Sequence, residues 1–274
     1  MIVDLHNHSY YSDGVYSPKE VVKLAYKNGC KLIALTDHDT TDGVLEAQQS
    51  ANEFQVELIH GVEISAFWQN MTIHIIGLGI NIDNDKMQEG LEHNKNLRKQ
   101  RAEKIAFGLR RIGIKNAFEK AQKLSKTSNM TRTHFAQMLI NEGYSKDMKS
   151  VFRSYLAGKK PGSVRVQWEN IDKVISWIHA AGGKAIIAHP FRYKITNKKI
   201  KYLLSDFKEF GGDGIEVVNA FSSNDEINLS AKWSKEYNFL TSCGSDFHGW
   251  PNQRNKIGEL KELPNLDNAV WKYL

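Results

Sequence analysis

No apolar run in the sequence approaches the roughly 20 residues needed to cross a bilayer. The first residues, MIVDLHNHS, lack a basic stretch followed by an apolar one. A cytoplasmic chain with no membrane partner is expected. Cysteine is scarce: Cys30 and Cys243 lie far apart, each beside an apolar strand-like run. That placement reads as two buried thiols, not as a disulfide or a thiolate metal site. There is no internal repeat and no low-complexity tract. The 41% hydrophobic and 25% charged content, with a mean hydropathy of -0.47, argues against disorder. Nor does an aromatic ladder interleave the basic residues, so an extended base-stacking platform is not expected.

What is present is 274 residues with a net charge of +6, a balance that favours anionic partners such as phosphates. Lysine and arginine crowd into residues 95–160, whereas most histidines and the carboxylates near them lie outside that stretch. Short apolar runs alternate with amphipathic ones: MIVDL, SPKEVVKLAYKNG, KLIALTD, TTDGVLEAQQSANEF, VELIHGVEIS. This predicts strand and helix in alternation, with Ser17 as an N-cap and Pro18 in the first helical turn. From about Asp83 the pattern turns helical, then alternation resumes through KAIIAHP, GIEVVN and FLTSCGSDFH to a helix at the C-terminus. About seven strands separated by helices imply a parallel α/β barrel. We expect residues 1–82 and 161–274 to form the barrel and residues 83–160 a helical insertion that caps it.

In such barrels, residues at the C-terminal strand ends converge on one mouth. The first strand ends in His6 and His8, with Asp13 in its loop; the second ends in Asp37, His38 and Asp39; the third in Glu63. His74 lies on the next strand, His189 ends the strand after the insertion, and Asp246 and His248 end the last. Residues two apart on a strand share a face, so His6 and His8 can bind one ion. Six imidazoles and three carboxylates suit manganese first, with iron or zinc as alternatives. Nine ligands exceed one ion; two or three divalent ions bridged by Glu63 fit better. Singly placed histidines such as His60, His93 and His179 read as structural. The cationic run Arg98, Arg101, Lys104, Arg110 and Arg111 reads first as a solvated helix face, with Arg101 the member to test for anion binding.

The ordered series DLHNHSYYSDG, LTDHDT, GVEIS, IIAHPFRY and SCGSDFH resembles the motifs of the polymerase and histidinol phosphatase (PHP) family of metal-dependent phosphoesterases. The resemblance spans residues 1 to about 80 and 165 to 250. It implies a distorted seven-stranded (β/α) barrel of PHP type with a helical insertion domain and a three-metal site. One ion would take His6, His8, Glu63 and Asp246; a second Asp13, His38 and His248; a third Glu63, His74 and His189. The insertion and AHPFRY resemble the branch that holds 3',5'-nucleoside bisphosphate phosphatases and a 5'-to-3' exoribonuclease. By that likeness a nucleotide or short RNA is the substrate. Asp13, His38, Glu63, Asp246 and His248 would surround the reacting phosphate, while Arg101, Arg132, His134, Lys160 and Arg192 would grip the substrate. Ser163 stands where that branch usually has an aromatic. Asp37 and Asp39 would orient neighbouring ligands. No obligate protein partner is evident. Competing expectations are a histidinol-phosphate-type phosphatase, an amidohydrolase, and a metal-stapled module that binds nucleic acid without cleaving it. An amidohydrolase would want a bridging lysine where this chain has Glu63.

Overall fold

The computed structural model describes residues 1–250, 255–264 and 266–274. Its first half alternates strand and helix as expected: β1 (Ile2–Asp4), α1 (Pro18–Lys27), β2 (Cys30–Leu35), α2 (Val44–Phe54), β3 (Glu57–Trp68). α1 starts where the sequence places it, in a capping box. Ser17 Oγ accepts the Glu20 N–H, and the Glu20 carboxylate accepts the Ser17 N–H at 2.8 Å. β4 (Met71–Leu78) follows β3 without a helix. Gln69 and Asn70 both take positive φ, 42° and 65°, the left-handed pair that lets a two-residue turn join twisted strands.

That hairpin corrects the parallel reading. The seven strands pair in chain order, but β4 runs antiparallel to both β3 and β5. The remainder is α3 (Asp85–Arg110), α4 (Ala117–Leu124), α5 (Arg132–Asn141), α6 (Met148–Val151), α7 (Ile171–Ala180), β5 (Lys184–Ile187), α8 (Asn197–Glu209), β6 (Gly214–Asn219), α9 (Asn224–Glu236) and β7 (Leu240–Gly244). β7 closes back on β1: the Leu5 N–H donates to Cys243 O at 2.9 Å and the Asp246 N–H to His6 O at 2.8 Å. The sheet is thus a closed seven-stranded barrel. Both cysteines are buried and free.

The expected C-terminal helix is absent; the described end of the chain holds two short 3-10 turns, Leu266–Asn268 and Val270–Lys272. Ala269 and Val270 are fully buried, and Ala269 bridges to Thr241 of β7, so the tail follows the sheet.

Apolar side chains gather into separate cores. One fills the barrel around Leu5, Val62, Ile75, Ile186 and Ile215. Another, built from residues 102–156, centres on Leu109, Phe135, Leu139 and Leu156. The long helix α3 belongs to both: Met87 and Leu91 pack in the first, Ala102, Ile105 and Leu109 in the second. At 26 residues, about 39 Å by helical rise, it reaches from the barrel into the helical layer.

Candidate metal centre

β1 and β7 deliver their ligands side by side because backbone hydrogen bonds between them continue past the strands to His6, His8 and Phe247. Close approach requires Gly244, since a Cβ there would overlap the His6 side chain. His38 reaches the centre from the loop after β2, which bridges to Glu63. Glu63 is not at a strand end, as the sequence suggested: β3 continues to Trp68 because it pairs with β4 along its length. The antiparallel direction of β4 brings His74, near the start of that strand, to the same mouth.

Glu63 is fully buried and lies at the centre. Its Oε1 is 3.0 Å from His74 Nδ1, 3.0 Å from His189 Nε2 and 3.3 Å from His6 Nε2. Its Oε2 is 2.8 Å from His38 Nδ1 and 3.4 Å from His8 Nε2. Asp246 Oδ1 is 3.2 Å from His8 Nε2 and 3.5 Å from His6 Nε2, and Asp13 Oδ1 is 3.2 Å from His248 Nε2. Three ligand groups form: His6, His8, Glu63 and Asp246; His8, Asp13, His38 and His248; His38, Glu63 and His74. The first is the set expected. The second gains His8, and the third holds His38 where His189 was expected, with His189 still touching Glu63.

Buried polar atoms in folded proteins are almost always paired. Here His6 Nε2, His8 Nε2, Asp13 Oδ1, His38 Nδ1 and Glu63 Oε2 are buried with no hydrogen-bond partner. All converge on one volume, so the donor set fits divalent cations. Burial and the neighbouring His248 push His8 down to about 3, the neutral form a ligand needs. Burial also opposes charge on Glu63, yet His74, His38 and His6 hold its carboxyl well below the ordinary range. His248 rises to about 9 because Asp13 and Asp246 outweigh its burial.

A layer of carboxylates and hydroxyls braces the ligands. Glu216 on β6, unremarked in the sequence reading, sits 2.9 Å from His6 Nδ1 and accepts the His189 N–H at 2.8 Å. A lone acid inside the apolar strand GIEVVN was its signal. Asp37 accepts from Ser9 N–H, Ser9 Oγ and Ser12 Oγ at 2.8, 2.6 and 2.6 Å, pinning the loop between His8 and Asp13. Thr133 Oγ1 on α5 donates to Asp13 Oδ2 at 2.9 Å.

The ligand cluster opens on a cavity of about 540 Å³, which is also lined by Arg98, Arg101 and Arg132 from the helical layer and by Arg192 from the barrel side. Arg98 and Arg101 therefore correct the solvated-face reading, while Lys104, Arg110 and Arg111 are exposed as expected. The face of α3 that carries Asn94, Arg98 and Arg101 turns inward. Arg98 is 4% exposed and doubly bound to Asp39 Oδ2, with Nη2 also 2.9 Å from Ser65 Oγ. Arg101 shares the Trp168 ring with Arg98, at 5.9 and 5.4 Å, but its buried Nε has no partner. Burial, then Arg132 and Arg98, pull Arg101 well below the ordinary guanidinium value. Arg132 lies over Phe152, and Arg192 pairs with Asp246. His134 is drawn away from the cleft: its Nδ1 accepts the Thr131 N–H at 3.0 Å and caps α5. Lys160 is exposed and outside the cavity lining, whereas Ser163 lines an adjoining hollow with Arg101 and Arg132. His60, His93 and His179 bond elsewhere, to Gln48, Glu169 and Asp213.

Comparison with known proteins adds an independent line. The PHP domain family matches residues 4–217. A 5'-3' exoribonuclease of Haemophilus influenzae is 44% identical over 98% of this chain and 97% of its own. A 3',5'-nucleoside bisphosphate phosphatase of Chromobacterium violaceum is 38% identical over 99% and 96%. A solved Chromobacterium violaceum structure, described as an amidohydrolase with bound sulfate and no metal, superposes with a TM-score of 0.94 at 38% identity, covering 100% of this chain and 95% of that one.

Proposed function

This chain belongs to the PHP domain family, and from that premise we propose that it is a metal-dependent phosphoesterase acting on nucleoside 3',5'-bisphosphates and on the 5' ends of short RNA. The observation that carries the reading is one cavity with two kinds of lining: unpartnered ligand atoms converging on Glu63, and a group of arginines beside them. Two or three divalent ions held by His6, His8, Asp13, His38, Glu63, His74, His189, Asp246 and His248, manganese first and iron or zinc otherwise, would neutralise phosphate oxygens and acidify water from a pKa of 15.7 toward about 7.

The chain's own residues do the rest. Arg101 and Arg132 bind the 5'-terminal phosphate, a dianion that supplies the counter-charge this wall lacks. Arg192 contacts the reacting phosphate while holding Asp246 in place. Glu216 fixes the tautomer and ring orientation of His6. Trp168 backs both Arg98 and Arg101 at that end of the cleft. One bond breaks in both substrates, between phosphorus and the 3' oxygen of the terminal nucleoside. Water adds to phosphorus, and its proton ends on the departing 3' oxygen.

The amidohydrolase alternative wants a bridging lysine, and Glu63 fills that place. A cytoplasmic site of action accords with the absence, among the described residues, of any helix long and apolar enough to cross a membrane. The test is turnover by the metal-loaded protein on 3'-phosphoadenosine 5'-phosphate, 5'-phosphorylated RNA and histidinol phosphate. Phosphate or nucleotide release from the first two, lost in His8→Ala, is expected. Preference for histidinol phosphate, or RNA binding with no turnover at all, overturns the reading.

A further inference from the structure

A second cavity, of about 580 Å³, opens beside the first between α5, α6 and the barrel mouth. The two share a border made by Thr133, Phe152, Arg192, Asp246 and His248. Two metal-ligand residues therefore belong to both rooms, and a phosphate seated on them can carry substituents in either direction. Each volume lies in the range, about 300–1,000 Å³, that ordinarily holds one small ligand. A nucleoside bisphosphate needs only one of them.

The rooms differ in chemistry. The first concentrates Arg98, Arg101, Arg132 and Arg192, a setting for a terminal phosphate of two charges. The second carries two exposed lysines, Lys146 and Lys149, with Ile140, Met148, Phe152 and Trp250. Singly charged diesters and flat bases match that mixture of point charge and aromatic surface. The Trp250 ring is held in place by its Nε1–H, which donates to Asp13 O at 2.7 Å. Phe152 is set on the border by a single π-helical turn over Phe152–Leu156 that follows α6. The one acid of the α6 end, Asp147, is occupied in capping that helix through Ser150. No aromatic ladder is visible along the sequence because these two rings come from segments about a hundred residues apart.

We infer that the cavity lined by Lys146, Lys149, Phe152 and Trp250 is the path of the RNA chain on the 3' side of the scissile phosphate, and that mononucleotide substrates do not use it. The inference rests on the activity proposed above and adds a direction. The 5' nucleotide enters the arginine room, the bond breaks at the shared border, and the shortened chain remains in the lysine room, where it can advance by one nucleotide.

The test is Lys146→Glu/Lys149→Glu in the full metal-loaded chain, assayed on 3'-phosphoadenosine 5'-phosphate and on short 5'-phosphorylated RNA, with RNA binding followed by fluorescence anisotropy. kcat/KM for RNA is expected to fall about tenfold or more, and the salt dependence of RNA binding to flatten by ~1.4 in log–log slope for two lost phosphate contacts. Turnover of the bisphosphate should stay within about twofold. Equal losses on both substrates, or no change on either, overturn the path. A parent protein that hydrolyses the bisphosphate and ignores RNA overturns it while leaving the phosphoesterase reading intact. A parent inactive on both overturns that reading instead, and the path then stands or falls on whether the charge reversal weakens RNA binding.

Discussion

Two regions face each other across the cleft, and they are deficient in opposite things. The barrel mouth gathers imidazoles and carboxylates, several of whose buried atoms have no hydrogen-bond partner, an arrangement suited to cations. The helical layer presents arginines, of which Arg98 is already neutralised by Asp39, while among the described residues no carboxylate pairs with Arg101 or Arg132. Arg98 and Arg101 lie almost one turn apart on α3 and rest on the same tryptophan, yet their roles separate on a single counter-ion. One arginine ties the helical layer to the loop of His38, and the other keeps a buried Nε without a partner. A cationic residue in a cleft is therefore a binding candidate only after its own carboxylate has been looked for.

The comparison can be broken most sharply at Glu63. Glu63→Ala removes the carboxylate common to two ligand groups, and we expect kcat to fall by about a thousandfold or more together with the bound metal, read by turnover and elemental analysis. Retained metal with a normal rate would dissolve the barrel-side half of the contrast.

On the opposite face, Arg98→Ala leaves the buried Asp39 without its counter-ion, with only the Ser65 N–H and Asn94 Nδ2 hydrogen bonds remaining, a loss of about 3 kcal/mol of stability measurable by denaturant unfolding. A variant as stable as the parent would show that Arg98 is not the tie.

The helical layer should also show a distinct acid sensitivity of its own, away from the ligand cluster. Burial pushes His134 down to about 4 from the ordinary 6.5, so its neutral, cap-accepting form is favoured in the folded state. A depressed histidine value stabilises fully above 6.5, and that contribution disappears as pH falls toward 4. The stability of the parent relative to His134→Gln should shift by about 3 kcal/mol against the parent as pH falls across that window. A pH-independent difference counts against the capping role.

The smallest effect sharpens the contrast between the two arginines. Arg101→Ala should leave the thermal midpoint unchanged or raise it, because a crowded cation is removed. kcat/KM on the bisphosphate should fall by roughly ten- to a hundredfold, the worth of a hydrogen bond to a charged group. Loss of stability with unaltered kinetics would invert the assignment of Arg98 and Arg101.

Much of the candidate metal centre could be read along the chain. His6 and His8 share a face by strand periodicity, and the other ligands recur beside apolar runs, so nothing beyond local pattern was needed to collect them. What was missed has separate physical origins. The β3–β4 hairpin replaced a parallel crossover because a two-residue left-handed turn can substitute for a helix, and apolar alternation looks the same in both directions. Glu216 escaped notice because a single acid within an apolar strand carries no periodic signal. His134 and Lys160 sit in the basic insertion, but the first is used by its own helix and the second faces solvent.

By itself the sequence determined which imidazoles and carboxylates are on offer, since the number and type of candidate ligands and their spacing beside apolar runs are local properties of the chain. Only the tertiary structure decided how charge is distributed across the cleft. Asp39 and Arg98 meet across 59 residues, and Glu216 and His6 across 210. Whether a buried charge is already neutralised depends on which partner the fold brings within about 3 Å, and no window along a chain contains that partner.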